Sequence, residues 1–128
     1  MPASTISAAV KQQLSQYLPF SAMAPADLDF VVSHIAVAYY APGEVVIAPG
    51  DGVPAHCIIV KQGSVQGTNT ETGAVALDAG VGDCFPVGAL LASRPVTLTY
   101  RAVGDTFCLL LPRNSFEELT QRSAVFLD

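Results

Sequence analysis

The spacing of hydrophobic positions changes near residue 35. Before it, Ile6, Val10, Leu14 and Leu18 recur every fourth residue, the period of one helix face. Ser4 stands where such a helix is capped, and Pro19 where it must end. A second helix is expected from Pro25, a good first-turn residue, with Leu28, Val31, Val32 and Ile35 as its apolar face. Asp27 and Asp29 suit its positive end, and His34 suits its negative one. Beyond Ile35 the helical period is lost. All ten glycines and six of the nine prolines lie there, cutting the chain into short stretches. These are Val37–Tyr40, Glu44–Ile47, His56–Gln62, Ser64–Thr68, Ala74–Ala79, Val96–Val103 and Thr106–Leu111. Rich in Val, Ile, Thr, Tyr and Phe, they read as strands. "APGE", "APGDG", "KQG" and "TETG" supply the turns between them. Short strands at even spacing predict a sandwich or jelly roll. A helical stripe returns at Phe116, Leu119 and Val125 or Phe126, with Asn114 as its cap and Glu117 three residues on. No glycine or proline closes it, so the expectation is a longer polypeptide.

Composition narrows the picture. At 128 residues, half of them hydrophobic and only 13% charged, the chain suits one domain with a core. A net charge of −5 argues against nucleic acid or an anionic membrane as a direct partner. The N-terminus lacks the basic start and apolar block of a secretion signal, which places the chain in the cytoplasm as an expectation. Cys57, Cys84 and Cys108 lie far apart and read as reduced, mostly buried thiols. His56 and Cys57 are adjacent and in a strand would face opposite ways, so no metal or cofactor is expected. Glu117 and Glu118 read as a solvated helix face, and Glu44 as part of a turn. Nothing matches a nucleophile elbow, a P-loop or a metalloprotease helix, and no catalytic residue or enzyme is expected.

The ordered series Gly43, Gly50, Gly63 and Gly82 carries a resemblance. Together with "LPF" at Leu18, "YYAPGEVVIAPGD" from Tyr39, "IIVKQGSV" from Ile58 and "GDCFPVGALL" from Gly82, it resembles the cyclic-nucleotide-binding domain over residues 18 to 122. The resemblance implies a mainly β fold with flanking helices, an eight-stranded jelly roll. Its expected parts are N-terminal helices over 1–35, a barrel over 36–112 with a cassette helix at 86–92, and a C-terminal helix over 113–128. The stretch from Gly82 to Pro112 also resembles bacterial proteins that join such a sensor to CBS and nucleotidyltransferase-like domains.

In that family a glycine and a glutamate open the phosphate cassette, the glutamate bonds the ribose hydroxyl, and a later arginine pairs with the cyclic phosphate. A buried phosphate needs a cation and a buried hydroxyl needs an acceptor. Gly82, Asp83 and Phe85 match the opening turn, and Ala89 and Leu90 the helix. Pro86 then takes the glycine position and Val87 the glutamate position, while Ala102 fixes the next strand and puts Val96 at the arginine position. Both polar anchors are missing. The resemblance therefore implies a regulatory module that does not take cAMP or cGMP in the usual way.

The residues expected to form its altered pocket are Phe85, Pro86, Val87, Gly88, Ala89, Leu90, Arg94, Val96 and Thr97. Pro86 is expected as the first helical residue, and Arg94 as either a surface residue or a replacement cation. Thr97 and Thr99 are expected to share a face with Arg101 and line a polar wall. The expected partners are a small anionic or nucleotide-like ligand, downstream domains of the same polypeptide, and a second copy in a homodimer. The alternative is an interaction or dimerisation domain whose pocket is filled by Phe85, Leu90 or Tyr100.

Overall fold

The computed structural model describes residues 2–17 and 20–122, with side chains from residue 8 onward. The expectations for Ile6 as a packing residue, Leu18, Pro19, Val125 and Phe126 lie outside what it describes. Helix α1 (Pro2–Leu14) is followed by a 3₁₀ turn at Phe20–Ala22 and by α2 (Pro25–His34). Eight strands come next, with a 3₁₀ turn at Pro49–Asp51 and one α-helix among them: β1 (Ala36–Tyr40), β2 (Val45–Ile47), β3 (His56–Gln62), β4 (Val65–Asn69), β5 (Val75–Ala79), β6 (Cys84–Phe85), α3 (Val87–Ala92), β7 (Leu98–Ala102) and β8 (Thr106–Pro112). Helix α4 (Arg113–Arg122) follows directly.

The strands form two four-stranded antiparallel sheets, ordered β1-β8-β3-β6 and β2-β7-β4-β5. This is the mainly β jelly roll with flanking helices that the sequence predicts. Strands β3 and β8 sit at its centre, and their register places Ile58 opposite Leu110 and Ile59 opposite Leu109. Both read as almost unbroken apolar runs because both faces are covered. Cys57, Ile59, Leu109 and Leu111 face the helices, where Val10, Leu14, Phe20, Val31, Phe116 and Leu119 complete one core. Ile58, Val60 and Cys108 face the barrel interior, against Val65, Phe85, Val96 and Tyr100. Helix α4 packs against α2, β3 and β8, and Arg122 ties it to α2 through Asp27 at 3.3 Å and the Phe30 ring at 4.6 Å. No helix among the described residues is long and apolar enough to cross a membrane.

Several local expectations are corrected. Helix α1 begins at Pro2, so Ser4 lies inside it rather than capping it. Helix α4 begins at Arg113, one residue before the expected cap, although Asn114 Oδ1 still accepts from the Ser115 amide at 2.9 Å. Strand β6 is missed by patterning because two residues between a glycine turn and a proline are too few to show alternation. Strand β7 starts at Leu98, two residues later than expected, because Pro95 and Val96 belong to the connection from α3.

The turns that shape the barrel share one device. In "APGE", "APGD" and "GVGD" the final carboxylate accepts from the amide three residues earlier. Glu44 bonds Ala41, Asp51 bonds Ala48 and Asp83 bonds Gly80, at 2.8–2.9 Å. These three acidic residues are thus structural, as expected for Glu44.

Candidate functional site

The turn ending in Asp83 positions the site. Gly82 adopts φ +90°, and a Cβ there would run into the Tyr17 ring of the segment after α1. Its amide bonds Val60 O at 2.9 Å, and Val60 N bonds Asp83 O at 3.0 Å. The turn is thereby stitched to β3, and the chain leaves it as β6. Pro86 then occupies the cap of α3 rather than its first helical position, because its carbonyl accepts the Leu90 amide at 3.0 Å. At the other end Ser93 adopts the left-handed conformation, with φ 53°. The Arg94 amide folds back onto Ala89 O at 3.1 Å. The left-handed cap thus turns the chain at Arg94 back against α3.

Between α3, its following connection and the inner ends of β6 and β7 lies a cleft of about 270 Å³. Of the residues expected from sequence, Phe85, Pro86, Val87, Gly88 and Ala89 line it from β6 and α3, and Arg94, Val96 and Thr97 from the connection. Leu90 does not: it is turned away, wholly buried in the helix-side core. The expected polar wall is split. Thr97 lines the cleft, whereas Thr99 bonds Thr70 Oγ1 at 3.1 Å and Arg101 donates to Gly43 O at 3.1 Å on the outer face. Thr97 escapes the strand's alternation because it precedes β7.

Leu77, Cys84, Pro95 and Tyr100 also line the cleft, and patterning did not assign the first three to it. The floor is a stacked pair, Phe85 and Tyr100, with ring centroids 4.9 Å apart and planes 15° apart. Burial raises the Tyr100 phenol above its ordinary range. Cys84 brings a neighbour that its sequence distance hid, the thiol of Cys57 on β3. The bond between the two thiols, with the burial of Cys57, pushes Cys57 well up; the same bond draws Cys84 down against the opposing effect of its own burial. Among the described residues no group of three His, Cys, Asp or Glu side chains is placed to hold a metal.

Charge separates this cleft from three other concavities. A 360 Å³ hollow at Val53, Arg113 and Glu117 holds its own ion pair, at 3.9 Å. A 280 Å³ hollow beside α1 contains Lys11 and Asp29, paired at 2.6 Å. The 190 Å³ hollow at Tyr40 and His56 contains Asp51, already bonded to the Ala48 amide. In the cassette cleft Arg94 is the sole charged side chain on the wall. Among the described residues it has no ion pair and no side-chain hydrogen bond.

A family model described as the cyclic nucleotide-binding domain matches residues 37–123. No curated protein matches the chain. Among solved structures the chain is similar to the regulatory domain of Toxoplasma gondii PKA with cAMP, at 19% identity and a TM-score of 0.85 over 96% of this chain and 48% of that one. It is similar to the regulatory subunit of a cAMP-independent protein kinase A from Trypanosoma brucei, solved as a triple-substituted variant with cAMP in its A site. There the identity is 18% and the TM-score 0.81, over 94% and 45% of the two chains. It is also similar to the Thermus thermophilus catabolite activator protein, at 24% identity and a TM-score of 0.70 over 84% and 52%. The chain thus spans about half the length of these relatives, and at such identities the likeness shows the fold.

Proposed function

This chain belongs to the cyclic nucleotide-binding domain family, and we propose that within it the domain senses a ligand other than cAMP or cGMP bound in the usual way. Val87 and Val96 stand at the positions where the family's cassette carries its glutamate and arginine. Replacing two charge-assisted bonds by aliphatic contacts removes roughly 1.5–3 kcal/mol each, which over two sites is several orders of magnitude in affinity. Family membership supports reading the domain as a regulatory module. Its output then lies in further domains of the same polypeptide, of the CBS and nucleotidyltransferase-like kind that the narrower resemblance implies. A homodimer is the second assembly this reading allows.

The observation that carries the ligand reading is the open cleft. The interaction-domain alternative requires Phe85, Leu90 or Tyr100 to fill it. Instead the first and last are stacked in its floor and Leu90 faces the other way. A physical route from cleft to α4 supports the signalling half. Val87 and Cys84 both line the cleft and pack on the helix-side core, which Leu90 of α3 shares with Phe116 and Leu119 of α4. A ligand that shifts α3 therefore alters the packing under α4. The Trypanosoma brucei relative supports the first half. It belongs to a kinase described as cAMP-independent, and its cAMP-bound variant carries three substitutions, one of them threonine to arginine.

Calorimetry with cAMP and cGMP tests the reading. The chain is expected to show no binding at micromolar ligand. The double variant Val87→Glu/Val96→Arg, checked for an unchanged fold by circular dichroism, is expected to gain at least about 100-fold in cAMP affinity. Micromolar binding of cAMP by the unaltered chain would refute it.

A further inference from the structure

Resting on the reading of this cleft as a ligand site, we infer that its ligand is a compact organic monoanion with a flat apolar body, whose charge Arg94 carries. Three features of the wall select that class. The first is the count of charges. One guanidinium, uncommitted among the described residues, and no carboxylate line the cleft. A cation would meet Arg94 with nothing to neutralise it. A dianion or polyphosphate would bring a second charge with no partner, into a domain whose net charge is already −5. A single carboxylate or diester matches the planar fork of one arginine.

The second feature is the shortage of acceptors for hydroxyls. Thr97 alone contributes a side-chain hydroxyl near Arg94, and the Tyr100 phenol lies in the buried floor. Val87, Val96, Leu77 and Pro86 supply hydrocarbon. A sugar hydroxyl placed against these four side chains finds no carboxylate or amide side chain to bond. The third is shape. A flat apolar body fits against the floor that the buried Phe85–Tyr100 pair forms. Beside it Gly88 leaves the backbone open, since an added Cβ there would meet nothing within 4 Å. At about 270 Å³ the cleft falls near the lower end of ligand pockets, roughly 300–1,000 Å³, so the body is one or two fused rings. Arg94 is held for the task by the left-handed Ser93 and the bond from its own amide to Ala89 O.

Three probes of one shape test this on the whole chain: 2-naphthoate, 2-naphthalenemethanol and 2-naphthylmethylammonium. The carboxylate is expected to bind at least about tenfold more tightly than the carbinol, and the ammonium most weakly. Raising the salt is expected to weaken only the carboxylate. Arg94→Gln, at an exposed position where folding is not at risk, is expected to make carboxylate and carbinol equal. Arg101→Gln, on the outer face, is expected to change neither. Equal affinities for carboxylate and carbinol, or an Arg94→Gln variant that keeps the preference, would overturn the anion assignment and leave the cleft a ligand site. Saturable binding of none of the three would overturn the inference and remove its support from the ligand reading as well. Micromolar cAMP binding beside an intact naphthoate preference would break the premise alone.

Discussion

The two sides of the β1-β8-β3-β6 sheet are built to different ends. On the helix side, α1, α2 and α4 cover β3 and β8 with large side chains that are wholly buried, Phe20, Leu14, Phe116 and Leu119 among them. The charges around that layer are paired, Lys11 with Asp29 and Arg122 with Asp27 and Glu118. On the barrel side the layer opens at one end into a cleft with an apolar floor and one uncommitted cation. The helix side spends its surface on burial, and the barrel side keeps a hydrogen-bonding fork above an apolar floor. Removing either should therefore show up in different measurements.

The largest expected effect is on the helix side. Phe116→Ala removes a fully buried ring from the junction of α4, α2 and β3, and is expected to cost about 3–5 kcal/mol of unfolding free energy. Urea unfolding monitored by circular dichroism reads it. The naphthoate affinity of the remaining folded fraction should change far less than stability does. A loss below about 1 kcal/mol would mean that α4 is not seated as the structure has it.

The cleft side is expected to respond in the opposite proportion. Phe85→Leu keeps the site apolar but ends the stack with Tyr100, which is worth about 0.5–1.5 kcal/mol beyond area. Stability should fall by about 1–2 kcal/mol, since a buried ring is replaced by a smaller side chain. Naphthoate affinity should fall by a similar free energy, roughly tenfold. If the affinity is unmoved while stability drops, the ring pair belongs to the core and not to the site.

The two sides were unequally legible in the sequence. Buried layers write themselves as pattern. Strands β3 and β8 were legible from β-prone residues between turn signals, α2 from its period and Pro25, and the turns from "APGE", "APGDG", "KQG" and "TETG". The cleft is assembled from pieces too short to carry a period: two residues of β6, six of α3, and a connection whose course depends on Ser93 being left-handed. Nothing local says that Thr97 escapes the alternation of Thr99 and Arg101, or that Leu77 reaches across from β5. Cys57 and Cys84 meet only because β6 pairs with β3. The resemblance supplied the location of the site, and the tertiary structure decided which of its expected residues face it. Leu90, a cassette residue by sequence, is a core residue by packing.

The smallest expected effect bears on whether the two sides communicate. Arg122 joins α4 to α2 through Asp27, whose side chain is 14% exposed, and lies over the Phe30 ring. A double-mutant cycle on Arg122→Ala and Asp27→Ala should return a coupling of about 0.5–1 kcal/mol, more than a fully exposed pair gives because one partner is partly desolvated. The same variants sharpen the comparison, because neither residue lines the cleft. Linkage is reciprocal: if occupying the cleft changes how firmly α4 is held, loosening α4 must change affinity in the cleft by the matching factor. Under the proposed relay, Arg122→Ala is expected to move the naphthoate dissociation constant by more than about twofold. The path is the core shared by Leu90, Phe116 and Leu119. A stability loss with an unaltered dissociation constant would leave the cleft a binding site and strip it of its route to α4.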